Sequence, residues 1–254
     1  TAFNRYICYI KPPANDNAGM EQLVEVKYAR ARTYFEAQHW DEAAMAFKDI
    51  ADHHADRDVG IYAAQLYLES INVLGANMNP PRPVCYDDMA TAVPEFIKNY
   101  CEGDKGTKNA DQCVVMKRVQ ADIRRLQAQK LVEKADKGGA GALADYEKGG
   151  GLYLELYRNN CETPIRAGQA PTAEKCDELV YNAARAFQAG RLIAKAIAAR
   201  MILLNPQNKM DKSDLARRAM YEVGGNYQAI AVYDQAAEWF ERYAKEYPKG
   251  DKSD

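Results

Sequence analysis

Several features that assign a function directly are missing from this sequence. No apolar run reaches the roughly 18 residues that cross a bilayer, because the nearest, Leu192 to Leu204, is interrupted by Lys195 and Arg200. There is also no excess of basic charge: 34 Lys and Arg stand against 36 Asp and Glu, a formal charge of -2. A dedicated nucleic-acid binder usually carries a basic excess. The sequence therefore predicts neither membrane insertion nor nucleic-acid binding.

Motifs of catalytic and phosphate-binding sites are absent as well. The sequence contains no G-x-x-x-x-G-K-[ST], no G-x-S-x-G and no H-E-x-x-H. Its three histidines are His39, at a predicted turn, and the adjacent His53 and His54, at a predicted helix end. Adjacent side chains point apart on a helix, so we interpret the histidines as surface residues. We expect no catalytic residue, no cofactor and no metal site.

The cysteines lack the C-x-x-C spacing of zinc and thioredoxin-type sites. Cys101 and Cys113 bracket one polar stretch, and Cys161 and Cys176 bracket another. Each stretch lies between two helical patterns, whose ends can come within the ~6 Å between Cα atoms that a disulfide needs. We predict two disulfides, Cys101–Cys113 and Cys161–Cys176, and hence an oxidising compartment. The alternative is reduced thiols in a cytosolic protein.

The next questions are the pairing of the remaining two cysteines and the extent of the chain. Cys8 and Cys85 receive no firm pairing. A Cys85–Cys101 bond is disfavoured because a helix between them would hold its ends roughly 20 Å apart. The chain begins at Thr1 without a signal-like segment and ends in a loop-like sequence. We expect a segment of a longer or processed chain.

The strand signal is poor and the helical signal is strong. No Asn-Gly or Asp-Gly turn lies between alternating apolar runs, whereas apolar residues recur at spacings of three and four. The predicted helices are 20–38, 41–53, 58–74, 87–100, 112–136, 144–160, 173–189, 191–204, 213–229 and 232–247. Because they come in pairs, we predict an all-α chain of helical hairpins.

The first and last hairpins carry the same residue types at the same spacings. A small residue is followed three residues later by an aromatic residue, then by a second aromatic at the turn, an alanine and a phenylalanine. These positions are Ala31, Tyr34, Trp40, Ala43 and Phe47 in the first hairpin and Gly224, Tyr227, Tyr233, Ala236 and Phe240 in the last. Small residues let two helices approach closely, and the aromatic residues fill the space between hairpins.

This pattern resembles the tetratricopeptide repeat, a helix–turn–helix unit of ~34 residues. The resemblance implies a right-handed α-solenoid over 1–254, with units 20–54, 58–101, 112–161, 173–206 and 213–248 and the end of a preceding repeat at 1–13. The turn at Gly190 is predicted to be shortened, and Gly149 to Gly151 to pack closely against a neighbour. Another helical-hairpin array, such as a Sel1-like one, is the alternative.

In tetratricopeptide proteins the first helix of each unit lines a concave groove that receives a peptide, helix or domain. The residues that the resemblance places there are Tyr28, Arg32, Phe35, Tyr181, Arg185, Gln188 and Tyr221. Tyr and Arg often anchor interfaces, although these rings can instead pack between repeats. Tyr28 and Arg32 occupy the places of the Lys/Asn clamp of chaperone-binding members, so that specialised activity is not expected.

The expected function is a non-enzymatic scaffold that binds another protein, within a bacterial envelope complex for assembly, secretion or motility. That setting rests on analogy with envelope members of the family. One alternative is an architectural or self-assembling subunit with an empty groove. Another is an enzyme that uses the inserted loops, which would need a buried cluster of titratable residues beside Cys101 or Cys161.

Overall fold

The computed structural model describes residues 2–13, 15–80, 82, 84–173 and 175–248, and within these ranges it is all-helical, without a strand. The helices are α1 (Ala2–Tyr9), α2 (Asn17–Glu36), α3 (Trp40–His53), α4 (Val59–Ala76), α5 (Val84–Cys101), α6 (Gly103–Lys108), α7 (Ala110–Asp136), α8 (Ala142–Tyr157), α9 (Thr163–Arg166), α10 (Cys176–Ala189), α11 (Ile193–Leu204), α12 (Asp214–Ala229) and α13 (Tyr233–Glu246). The predicted all-α class is confirmed for this part of the chain. None of the described helices has the length and hydropathy needed to cross a bilayer.

Each of the ten predicted helices has a counterpart within a few residues of its predicted ends. The prediction of plain polar loops between the paired cysteines is wrong. Helix α6 occupies most of the first loop, and a π-helical turn, Arg158–Glu162, leads into α9 in the second. These short polar helices have little intrinsic stability, and contacts with the rest of the chain hold them in place.

The chain forms two compact units, Thr1–Ile123 and Arg124–Asp254, and the division falls inside α7. In the first unit α2, α3, α4 and α5 pack in sequence order, each against the next. In the second unit α8, α10, α11, α12 and α13 do the same. Each unit has its own buried apolar side chains. The single array over 1–254 stays a prediction.

Three hairpin turns have the same backbone geometry. Each contains one residue in the left-handed region: Gln38, Arg191 and Ala231, with φ of 60°, 57° and 61°. In each turn a backbone amide donates to the carbonyl of the residue five positions earlier, which is the predicted aromatic residue. These bonds run from His39 to Tyr34 at 2.9 Å, from Leu192 to Phe187 at 2.8 Å and from Val232 to Tyr227 at 3.0 Å. The shortened turn predicted at Gly190 is therefore wrong. Gly190 keeps a negative φ of -74°, and Arg191 takes the conformation usually left to glycine.

The common turn geometry fixes which residues correspond between the three hairpins. The small-residue position holds Ala31, Ala184 and Gly224, and the close-contact position after the turn holds Ala43, Ala196 and Ala236; all six are buried. Four residues further on, the hairpins have Phe47, Arg200 and Phe240. The middle hairpin thus buries an arginine where the other two place a phenylalanine ring.

The glycine run in α8 makes two of the close contacts predicted for it. A Cβ atom on Gly150 would lie 2.6 Å from Cε1 of the Phe187 ring, and one on Gly149 would lie 2.9 Å from Cγ2 of Val132. Such distances are too short for a carbon contact, so glycine lets α8 approach its neighbours at these positions. Gly151 faces open space, and nothing in the structure explains its lack of a side chain.

Overpacking the close-contact position should destabilise both outer hairpins. Ala43 and Ala236 are 0% and 4% exposed, so leucine there has no free volume to fill. We expect Ala43→Leu and Ala236→Leu each to cost about 1–3 kcal/mol of unfolding free energy, measured by thermal melts. Ala37→Leu, at an exposed alanine next to the first turn, is the matched control. Unchanged midpoints at both buried sites would show that the correspondence between the hairpins is wrong.

Candidate functional site

The two predicted cysteine pairs lie at disulfide distance. The Sγ atoms of Cys101 and Cys113 are 2.03 Å apart and their Cα atoms 5.6 Å, and the values for Cys161 and Cys176 are 2.05 Å and 5.9 Å. The pairing expected from the loop positions is therefore confirmed. Cys8 and Cys85 are free thiols, the first exposed and the second buried. Burial raises the pKa of the Cys85 thiol.

The insertion closed by the first disulfide binds back onto the turn between α3 and α4. The Lys105 ammonium donates to the carbonyls of Ala55, at 3.2 Å, and Asn99, at 3.3 Å. Lys108 pairs with Asp58 at 2.5 Å. These lysines are occupied within the first unit, so this insertion acts as a brace on the hairpin beside it.

The insertion closed by the second disulfide forms one wall of an open cavity of about 550 Å³. The lining comprises Ile165, Gly168, Gln169, Ala170, Pro171, Ala173, Cys176, Asp177, Asn208, Lys209, Met210 and Ser213. Its ionisable side chains are the partly exposed Asp177, which accepts the Glu178 amide at 3.0 Å, and the exposed Lys209. Neither of these two side chains is buried.

One histidine departs from the predicted surface position. His54 is 8% exposed, and its Nε2 lies 3.2 Å from the Lys27 ammonium, which also donates to Asp49 at 2.8 Å. Burial and the Lys27 charge lower the pKa of His54, so a neutral ring accepts from Lys27. His39 and His53 are exposed as predicted. Among the described residues, no three His, Cys, Asp or Glu side chains cluster as metal ligands.

We call the predicted site residues of the first unit, Tyr28, Arg32 and Phe35, the α2 face. The Tyr28 ring is half-buried, with its centroid 5.8 Å from that of Phe47, and burial raises its pKa. Phe35 packs between Trp40 and Phe47, at 5.0 and 6.1 Å. Arg32 is exposed and bonds to Glu36 at 2.8 Å. Phe35 is therefore chiefly a packing residue, whereas Arg32 is accessible.

In the second unit the predicted site residues lie on two neighbouring first helices. We call the surface formed by Tyr181, Arg185, Gln188, Arg218, Tyr221, Glu222 and Gly225 the α10–α12 face. The Tyr181 hydroxyl donates to Glu222 Oε1 at 2.8 Å, and burial and this bond raise the Tyr181 pKa. The Tyr221 ring is 42% exposed, although it packs against Phe240 and Tyr243 at 5.1 and 5.4 Å.

A buried arginine beneath the α10–α12 face is the residue that sequence reasoning missed. Arg200, 1% exposed, donates to Glu222 from Nε at 2.8 Å, to Asn226 from Nη1 at 2.9 Å and to Gln188 from Nη2 at 2.6 Å. The Asn226 amide also donates to Gln188, at 3.1 Å. Arg200 therefore joins α10, α11 and α12. Its position four residues after Ala196, where the overlaid hairpins have phenylalanine, was the available signal.

The predicted anchors thus divide into two groups. Tyr181 and Gln188 are committed to the Arg200 network, and Tyr28 and Phe35 are committed to ring packing. Arg185 is exposed and makes no hydrogen bond or ion pair within the described part of the chain. Together with the exposed ring of Tyr221, it is the accessible part of the predicted site in the second unit.

Comparison with known proteins does not assign this chain to a family. A scan against models of protein families and a search of the curated proteins both returned no match.

Proposed function

We propose that this chain is a protein-binding scaffold of the tetratricopeptide class, in which the hairpins build a right-handed α-solenoid and the first helices present the binding surface. Three hairpins with one turn geometry and one residue register support this proposal. A repeated hairpin supplies the same exposed face several times, which suits recognition of another helix or peptide. The proposal includes no catalytic step and no cofactor.

The observation that carries the proposal is the set of Arg and Tyr side chains on the first helices that remain accessible in the fold. Arg185 has no hydrogen-bond or ion-pair partner among the described residues, and 42% of Tyr221 is exposed. Arg32 is exposed with only a neighbouring pair to Glu36, which contributes little in solvent. Exposed Arg and Tyr side chains on a rigid helix are suited to anchor a partner.

The proposed location is an oxidising compartment, such as the periplasm. Two cysteine pairs at disulfide distance support it, because such bonds persist where thiols are not kept reduced. A role inside a bacterial envelope complex follows from this location and from the class of scaffold, and the partner would then be another envelope protein.

A second candidate function is an architectural subunit that stacks through its last hairpin. Ala44 and Ala51 in α3 are 5% and 0% exposed where α4 packs against that helix. Their counterparts in α13, Ala237 and Ala244, are exposed. If this face joins copies together, sedimentation should show oligomers that grow with concentration, whereas a scaffold for other proteins should stay monodisperse.

Removing the two accessible arginines should weaken partner binding. We expect Arg32→Ala/Arg185→Ala to cost on the order of 2 kcal/mol, about thirtyfold in affinity for a partner recovered with the full protein. Titration calorimetry measures the affinity, and circular dichroism checks the fold. Arg166→Ala, on the second insertion and paired with Glu162, is the control. Full affinity in the double variant, with loss in the control, would move the site to the insertions.

A further inference from the structure

We propose that the α10–α12 face recognises an acidic helix, with carboxylates of the partner paired to Arg185 and Arg218. The inference rests on the proposed function and assigns the chemistry of its partner in the second unit. The face combines two unpaired cations, a central carboxylate neutralised from below, an exposed aromatic ring and a glycine that leaves the backbone accessible.

The two helices run side by side in the same direction. Tyr181 on α10 bonds to Glu222 on α12, and Gln188 further along α10 bonds to Asn226 further along α12. Both cross-contacts advance in the same sense along the two helices, so α10 and α12 are parallel. Arg185 lies between Tyr181 and Gln188 along α10 and is therefore level with the α12 residues next to Gly225.

The two arginines flank the middle of this face. Arg218 lies one turn before Glu222 on the same side of α12, and Arg185 is level with the stretch just after Glu222. At ~1.5 Å of rise per residue, the two guanidinium-bearing positions are roughly 10 Å apart along the helix axes. Residues seven apart on a bound helix are separated by about the same distance. A partner with carboxylates at that spacing can reach both arginines.

Positive charge dominates the face because its own carboxylates are already neutralised. Glu222 is held by the Arg200 guanidinium at 2.7 Å and by the Tyr181 hydroxyl. Glu178, near the start of α10, pairs with Lys175 at 2.7 Å. Arg185 and Arg218 make no ion pair or hydrogen bond with described residues. The remaining acids near the face are Asp177, in the first turn of α10, and Asp214, in the first turn of α12, and both lie at its edge.

Arg200 therefore has a consequence at the surface as well as in the core. Without this buried cation, Glu222 would place an uncompensated carboxylate in the middle of the face and repel an acidic partner. With it, the centre is neutral and the field above the face comes from the two exposed arginines.

The centre of the face also allows close approach and apolar contact. A Cβ atom on Gly225 would meet nothing within 4 Å, so a partner side chain can reach the α12 backbone there. The Tyr221 ring, one turn earlier on the same side, offers exposed aromatic surface. An acidic helix with an apolar residue between its two carboxylates fits this arrangement. A polyanion such as nucleic acid fits less well, because the face has two free cations and the chain a net charge of -2.

The test uses the full chain and three stapled, alanine-rich helical peptides with a central leucine. They differ at two positions seven residues apart, which hold glutamate, glutamine or lysine. We expect the glutamate peptide to shift backbone amide NMR signals of 181–189 and 218–226 and to bind at least tenfold more tightly than the glutamine peptide. High salt should remove the difference. Arg185→Gln/Arg218→Gln should abolish it, and Arg191→Gln, at the exposed turn after α10, should not.

The outcomes separate this inference from the function on which it rests. Equal shifts of the same amides by the glutamine or lysine peptide would overturn the acidic specificity and leave the α10–α12 face as a binding surface. Shifts confined to other parts of the chain, or no shifts at all, would overturn both the inference and the role of this face. Stronger binding of a single-stranded oligonucleotide than of the glutamate peptide would overturn the assignment of a protein partner.

Discussion

Replacing Arg200 with alanine is expected to lower the free energy of unfolding by about 2–5 kcal/mol. The Arg200 side chain is 1% exposed and donates to three residues on α10 and α12. Alanine would leave a cavity and would also leave Glu222, Asn226 and Gln188 without their donor. Only the arginine of the ion pair is buried, since the Glu222 side chain is 29% exposed, so the loss comes chiefly from the cavity and from the buried Asn226 amide left without its donor.

The control for this variant lies nearby in the same unit. Arg191 is exposed and has no ion pair, so Arg191→Ala should change stability by less than about 0.5 kcal/mol. Denaturant unfolding of both variants measures the difference. A triple variant, Arg200→Phe/Glu222→Ala/Gln188→Phe, takes Phe47 and Phe35 of the first hairpin as its model and removes the carboxylate that Arg200 neutralised, so it should recover part of the loss. An Arg200→Ala protein as stable as Arg191→Ala would show that the network contributes nothing to the fold.

Removing either disulfide should cost about 3 kcal/mol, because each bond closes a loop in the unfolded chain. The sequence separations are 12 residues for Cys101–Cys113 and 15 for Cys161–Cys176, so the two effects should be similar. We expect Cys101→Ser/Cys113→Ser and Cys161→Ser/Cys176→Ser each to unfold at lower denaturant concentration. Wild-type protein in a reducing buffer should lose the sum of both effects.

The exposed free thiol Cys8 provides the control, since Cys8→Ser should leave the unfolding midpoint unchanged. Peptide mapping without a reductant gives the pairing itself. Six free thiols in protein made in an oxidising compartment would contradict the pairing and remove the support for an extracytoplasmic location. Loss of stability in the Cys8 variant would mean that Cys8 also has a structural role.

The features that the sequence predicts well depend on neighbours along the chain. The helices follow from apolar spacing over a few turns, and the paired cysteines are only 12 and 15 residues apart in the sequence. The turn after α10 was predicted to be shortened at Gly190, but Gly190 keeps a negative φ and the residue in the left-handed conformation is Arg191. A single-residue conformation of this kind is set by the hydrogen bonds of the whole turn, not by the residue type.

The features that the sequence did not predict depend on distant contacts. In the sequence, Arg200 only interrupts an apolar helix. Its partners, Gln188 on α10 and Glu222 on α12, come next to it only when the chain folds. His54 follows a helix end, but in the folded chain it is buried and its Nε2 lies 3.2 Å from the ammonium of Lys27 on α2. In the candidate site, Tyr181 and Arg185 lie on a helix that the sequence predicted, but only the folded structure shows that Tyr181 bonds to Glu222 and that Arg185 has no such bond among the described residues.

Photo-crosslinking tests the central claim, that the first helices bind another protein, most directly. A photoreactive amino acid would replace one exposed residue at a time in cells that express the whole protein. Ala29 on α2 and Ala189 on α10 represent the first helices, and the exposed Met45 on α3 and Met201 on α11 represent the second helices. Our account predicts crosslinks to the same partner from Ala29 and Ala189 and none from Met45 or Met201. Crosslinks from the two methionine positions alone would contradict it.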